Sequence, residues 1–271
     1  MTPVALVRTH VHSGGELSRG ERTLPEETAV AFTYDGGTYA VMMATPRDLE
    51  DLAVGFSLSE GIVASAAEVR DLAVIEEGAG IELRMWLAEA RAEALRARRR
   101  HLAGPTGCGL CGIESLSEAV RAVPPVSAGA TMTADEITAA MAGLAPLQEL
   151  NRETHGVHAA AFWRRGAGIV LVREDVGRHN ALDKLVGGLA RDGIAPSEGV
   201  LLLTSRVSVE MVQKAATAGF PILAAVSVPT ALAVRTAEAA GVTLVAVARS
   251  DGFEVFTHPG PIKTGAMADV A

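Results

Sequence analysis

Residues 200–248 read VLLLTSRVSVEMVQKAATAGFPILAAVSVPTALAVRTAEAAGVTLVAVA. Three runs in this stretch are wholly apolar or nearly so: Val200–Thr204, Pro221–Val226 and Val242–Ala248. Between them lie Ser208–Ala218 and Thr230–Ala240, which have helical composition and begin with a Ser or a Thr suited to an N-cap. A strand exposed to water on one face alternates apolar and polar residues. A continuously apolar strand is covered on both faces, and strands of that kind separated by helices indicate a parallel α/β sheet. Phe253–Thr257 reads as a further strand of the same sheet.

The polar residues in this half sit where the predicted strands end. Thr204-Ser205-Arg206-Val207-Ser208 closes the first, Ser227-Val228-Pro229-Thr230 the second, and Arg249-Ser250-Asp251-Gly252 the third. Ligands of open α/β sheets sit at the carboxyl ends of the strands, and the helices that start there offer free N–H groups to anions. Two arginines and several hydroxyls at those ends suit a phosphate-bearing ligand. They equally suit plain N-caps with solvated arginines.

Upstream, Val157–Trp163 and Ile169–Arg173 flank Gly166-Ala167-Gly168 as a hairpin. The segment Asp175-Val176-Gly177-Arg178-His179-Asn180 then leads into a helix containing Asp183 and Lys184. Glu174 and Asp175 are adjacent, so on a strand they point to opposite faces and do not make a coupled carboxylate pair. Thr133 with Glu136 forms a capping box for a helix reaching about Leu150.

The first half has another pattern. Thr28–Tyr34 and Thr38–Ala44 are β-rich runs around Asp35-Gly36-Gly37, followed by a helix from Asp48 to about Gly61 and short strands at Leu72–Ile75 and Ile81–Trp86. Residues 1–22 read as a polar, mobile tail. A helix over Leu87–Leu102 ends in Arg96, Arg98, Arg99, Arg100 and His101, cations that the helix dipole favours at that end. The divisions expected are a tail at 1–22, an α+β subdomain at 23–123, an α/β subdomain at 124–262 and a second tail at 263–271.

Composition narrows the function classes. The chain has 271 residues, 24 basic and 32 acidic, for a net charge of −8, and only 4% of its residues are aromatic. That balance argues against a general nucleic-acid or membrane-surface binder. Ala215–Val234 has no charge over a length near that of a membrane span, but Gly219, Pro221, Ser227 and Pro229 break it. No secretory h-region stands at the N-terminus, so a cytoplasmic, reducing location is expected. G-x-S-x-G, the phosphate-binding Walker loop and a strand-anchored G-x-G-x-x-G are all absent.

The only cysteines, Cys108 and Cys111, lie in the glycine-rich loop 104–112, GPTGCGLCG. Two thiolates are half a zinc site, which histidines or a second protomer would have to complete; His155 and His158 are the nearest suitable spacing. A disulfide oxidoreductase pair is the second reading, although such a pair usually opens a helix rather than sitting among glycines. A thiol that carries a group as its thiolate is the third, with the Arg96–His101 run supplying a positive field. Two inert, buried cysteines are the fourth.

These segments together resemble the FdhD family, sulfurtransferases that act as accessory proteins of formate dehydrogenases. The similarity runs from about Glu27 to Pro259. It includes Met42-Met43-Ala44-Thr45-Pro46, Leu52 to Gly61, Thr106 to Gly112, Val157-His158-Ala159-Ala160-Ala161, Glu174 to His179, Thr204-Ser205-Arg206 with Ser208, Glu210 and Met211, and Thr257-His258-Pro259. The resemblance implies a cytidine deaminase-like α/β fold and a homodimer. It implies sulfur taken from a cysteine desulfurase as a persulfide on Cys108, with Cys111 as its partner. The acceptor would be the bis-molybdopterin guanine dinucleotide form of the molybdenum cofactor, destined for formate dehydrogenase, with GDP as its analogue. The family's cofactor stretch falls on Val247, Ala248, Arg249, Ser250, Asp251 and Gly252, the third strand end, with Ser205 and Arg206 beside it. Where relatives carry a tyrosine before the Thr-His-Pro run and a basic residue after it, this chain has Phe256 and Pro261.

Overall fold

The computed structural model describes residues 1–78, 80–102 and 123–263, with the backbone path alone for 96–102. Strands β1 (Val4–Ser13) and β2 (Glu16–Pro25) form an antiparallel hairpin. This corrects the reading of residues 1–22 as a tail. Gly14 and Gly15 both have positive φ, 62° and 87°, which matches the twist of a two-residue hairpin turn. The same signal operates at Asp35-Gly36, which joins β3 (Thr28–Tyr34) to β4 (Gly37–Ala44) with φ of 49° and 78°.

Helix α1 (Leu49–Ser59), strands β5 (Val69–Glu77) and β6 (Gly80–Leu87) and helix α2 (Glu89–Leu102) complete the first half. Its sheet runs β4-β3-β6-β5, with β3 and β6 parallel. Val30, Phe32, Leu83 and Met85 pack there against Leu52, Ala53 and Phe56 of α1 and Leu95 of α2. Each of the larger of these side chains contributes about 1.5–3 kcal/mol by leaving water.

The second half opens with β7 (Met132–Thr133) and α3 (Ala134–Leu144). The capping box forms: Thr133 Oγ1 accepts from Glu136 N at 3.1 Å, and Thr133 N donates to Glu136 Oε2 at 2.7 Å. The helix stops six residues short of the expected Leu150. Pro146 turns the chain into a short 3₁₀ segment, and a separate α4 (Glu149–Thr154) follows.

Then come β8 (His158–Arg164), β9 (Gly168–Asp175), α5 (Arg178–Arg191), β10 (Val200–Leu203), α6 (Val209–Ala218), β11 (Ile222–Ala225), α7 (Ala231–Ala240), β12 (Thr243–Arg249), β13 (Gly252–Thr257) and β14 (Ile262–Lys263). Six of these strands form one sheet in the order β13-β12-β11-β10-β8-β9. The three apolar runs are its parallel centre, as read from the sequence. The flanks are antiparallel, because β8–β9 and β12–β13 are joined by turns too short for a crossover.

Both faces are covered. Phe162, Leu201, Leu203, Leu223 and Leu244 pack against α5, α6 and α7. Trp163, Val200, Leu202, Ile222 and Val245 pack against α3. The architecture is the α/β sheet with flanking helices and a smaller β-rich N-terminal part that the sequence indicates. Strands β9 to β12 run in the same sense, so the ends of all four and the starts of α5, α6 and α7 share one edge.

Candidate functional site

That edge is knitted from its strand-end segments. Val226 N donates to Leu203 O at 3.0 Å, Val207 N to Val228 O at 3.3 Å, Thr230 N to Val207 O at 2.9 Å and Val247 N to Ser227 O at 3.3 Å. Residues 203–208, 226–230 and 247 are thereby held side by side. Ser205 is buried and donates to the Arg206 carbonyl at 3.0 Å, whereas Arg206 is exposed. Thr204 Oγ1 accepts from Ala159 N at 2.8 Å and so ties β10 to the start of β8.

The stretch Val247–Gly252 lies on the same edge. Register shows a bulge: Ala246 faces Glu254 and Arg249 faces Gly252, so Val247 and Ala248 together oppose Phe253. Val247 has φ +53°, a left-handed conformation that costs a β-branched residue about 1–2 kcal/mol. Ala248 is buried, while Arg249, Ser250 and Asp251 are exposed at the hairpin tip. Among the described residues, neither Arg206 nor Arg249 forms an ion pair. Two solvent-facing guanidiniums near helix starts are equipped to bind an anion.

Beside them, Ser208 Oγ donates to Glu210 Oε2 at 2.8 Å, and His179 Nε2 stands 3.5 Å from the same oxygen. Hydrogen bonding from Ser208 holds the Glu210 carboxyl below its usual range. Burial, with the Arg178 charge adding to it, pushes His179 below the usual imidazole range.

A family model described as FdhD/NarQ matches residues 25–263. The chain belongs to the FdhD/NarQ family. The sulfur carrier protein FdhD of Agrobacterium fabrum is 54% identical over 90% of each chain. The sulfur carrier protein FdhD of Brucella abortus is 52% identical over 93% of this chain and 94% of its own. A Desulfotalea psychrophila protein, solved as a formate dehydrogenase accessory protein, shares the fold with a TM-score of 0.75 at 23% identity. That match spans 96% of this chain and 99% of the other.

Several FdhD-like blocks of the sequence meet behind the edge. Asp175 Oδ2 bonds Lys184 Nζ at 2.7 Å, both side chains fully buried, and accepts from Thr45 N at 3.0 Å. Its Oδ1 accepts from Gly177 N at 2.8 Å and Asn180 Nδ2 at 3.0 Å. Lys184 Nζ also donates to Thr45 O at 2.9 Å. Burial outweighs Asp175 and leaves the Lys184 amine below its usual range. Glu174 points the other way and accepts from Leu150 N and Asn151 N, both at 2.8 Å, capping α4. The opposite-face reading of this pair holds.

A second buried node joins Ser59 and Glu60 of the Leu52–Gly61 block to α5 and α6. Lys214 Nζ lies 3.0 Å from both Asp183 oxygens, 2.7 Å from Glu60 Oε1 and 2.9 Å from Ser59 Oγ. Lys184 and Lys214 sit on largely buried helices, where a charge needs a buried counterion, but the sequence does not say which residue supplies it.

Other expectations fall elsewhere. Thr257 and His258 of the FdhD/NarQ chain lie at the opposite edge. Thr257 Oγ1 accepts from Leu244 N at 3.0 Å and donates to Val242 O at 2.7 Å, and His258 bonds the Glu238 carbonyl at 2.8 Å. Phe256 is the extra residue of a second bulge, since Leu244 faces Thr257 and Val245 faces Val255. Cys108, Cys111 and the rest of loop 104–112 lie outside the described residues, as do the side chains of Arg96–His101. Among the described residues no group of three or more His, Cys, Asp or Glu is placed to hold a metal. No described helix is long and apolar enough to cross a membrane.

Proposed function

We propose that this chain is a cytoplasmic, homodimeric sulfur carrier that delivers sulfur to the molybdenum cofactor of a formate dehydrogenase. The observation that carries the reading is similarity over 90% or more of each chain, at half identity or better, to proteins named sulfur carrier protein FdhD. The Cys108 thiolate attacks the outer sulfur of a cysteine desulfurase's persulfide. The donor S–S bond breaks, the donor thiolate leaves and Cys108 holds the persulfide. Attack by the Cys111 thiolate on the Cys108 sulfur then forms the Cys108–Cys111 disulfide and expels hydrosulfide, and an external thiol must reduce that disulfide before another round.

The acceptor, the bis-molybdopterin guanine dinucleotide cofactor, is a substrate here. Its phosphates suit the exposed guanidiniums of Arg206 and Arg249, and the strained Val247–Gly252 turn lies where α/β sheets take ligands. Ser205 orders the first of these segments through its bond to the Arg206 carbonyl.

Incubation with a cysteine desulfurase and cysteine should add about 32 Da, one persulfide sulfur, to the Cys108 peptide. Folded wild-type protein that gains no such mass refutes the carrier role. In parallel, GDP should raise the melting temperature of wild type. If Arg206→Ala and Arg249→Ala both leave that rise intact, the placement of the acceptor is wrong.

A further inference from the structure

Arg178 opens α5 as a cation without a counterion among the described residues. Its Nε is buried and has no hydrogen-bond partner; His179 Nε2 is buried too, and its acceptor neighbour Glu210 Oε2, at 3.5 Å, is too far for a good hydrogen bond. The acidic groups nearby are committed. Both oxygens of Asp175 are taken by Lys184, Thr45, Gly177 and Asn180, and Glu210 accepts from Ser208. Lys214 of α6, which also acts on His179, is bound to Asp183 and Glu60. His158 faces Asp175 across β8 and β9, is half-buried, and feels the Arg178 charge, as His179 does.

Donors therefore outnumber acceptors at this helix start, where Glu210 Oε2 stands 3.5 Å from His179 Nε2. The donors are the Arg178 guanidinium, the imidazole N–H groups of His158 and His179, and the backbone N–H groups of Arg178, His179 and Asn180, which as the first turn of a helix have no intrahelical acceptor. N-cap Gly177 has no side chain to satisfy them. Buried donors left unpaired are costly, and a guanidinium fork with a helix start matches a phosphoryl group. A carboxylate has two oxygens to offer this set; a terminal phosphoryl has three.

We propose that Arg178, His158 and His179 form an anion site at the start of α5 that takes a phosphoryl oxyanion, separate from the Val247–Gly252 turn. Neither the cysteines nor Arg249 enter the proposal, so it stands or falls apart from the carrier role.

The test follows the imidazole ring protons of His158 and His179 by NMR through a pH titration, with peaks assigned from His158→Gln and His179→Gln. Saturating pyrophosphate should move both midpoints upward by about one pH unit, because an anion favours the charged imidazole. Arg178→Gln should abolish the movement, Arg178→Lys should keep part of it, and Arg249→Ala should leave it whole. If GDP acts at lower concentration than pyrophosphate, the phosphoryl belongs to a nucleotide; the reverse assigns a free anion. Midpoints that ignore both probes overturn the site. So does a movement that survives Arg178→Gln but disappears with Arg249→Ala.

Discussion

Gly55 and Gly187 meet backbone to backbone where α1 crosses α5. A Cβ on Gly55 would stand 1.7 Å from the Asp183 carbonyl oxygen, and one on Gly187 would stand 1.8 Å from that of Asp51. Helices this close carry the first half of the chain directly on the α/β half. Gly55→Ala and Gly187→Ala should each lower stability by about 1–3 kcal/mol or more, the range for overpacking. In urea unfolding the midpoint should fall with an unchanged m-value. Unaltered midpoints would mean that the crossing is looser than described.

Lys214 is the cation beneath that crossing. Burial pulls its pKa down, but Asp183 and Glu60 outweigh it and the pKa ends above the usual lysine value. Lys214→Met strands Asp183, whose side chain is 1% exposed, and should cost about 3–5 kcal/mol. The double variant Lys214→Met with Asp183→Leu should be more stable than the single one, since both charges are then gone. A chemical-denaturation cycle reads the difference.

His158 and His179 make stability depend on pH. Burial, helped by Arg178, lowers both below the ordinary imidazole value of about 6.5. As pH falls below that value the unfolded chain takes up protons that the folded chain resists. Stability is therefore fully present above the window and declines as pH drops through it toward the folded midpoints. Melting temperatures between about pH 7.5 and about pH 5.5, a range that isolates histidine, should fall. The fall should shrink in the His158→Gln/His179→Gln double variant.

Thr257 serves the sheet and not the ligand edge. Thr257→Val removes its two bonds and leaves Leu244 N unpaired, so it should cost about 1–3 kcal/mol. The GDP-induced rise in melting temperature should survive in this variant. Loss of that rise would place the Thr-His-Pro run at the acceptor after all.

The central strands were legible because Val200–Leu203, Ile222–Ala225 and Leu244–Ala246 are apolar on both faces, a pattern only a doubly covered sheet demands. The edge cluster was legible for the same reason, since polar residues appear as soon as those strands stop. The N-terminal hairpin was missed because β1 and β2 bury little, so their polarity reads as a tail, although Gly14-Gly15 carries the turn. The break after Leu144 follows from Pro146 and could have been read. The Lys214 node depends on contacts more than thirty residues apart in sequence, such as Lys214 with Asp183 and Ser59, and no local pattern names those partners.

The bulge at Val247 has a consequence for handedness. Ala246 and Arg249 face Glu254 and Gly252, two positions of one parity on β13, so they share a side of the sheet although they are three positions apart. Val245 and Ala248, also three apart, both join the core beneath α3. In an unbulged strand Arg249 would follow Val245 to that side. The single extra residue instead turns Arg249 to the side from which α5, α6 and α7 rise, bringing a guanidinium to the face that already presents their amino ends. Deleting Val247 would act as a mirror: the arginine would remain in the chain, at the same edge, with its charge delivered to the wrong side of the sheet.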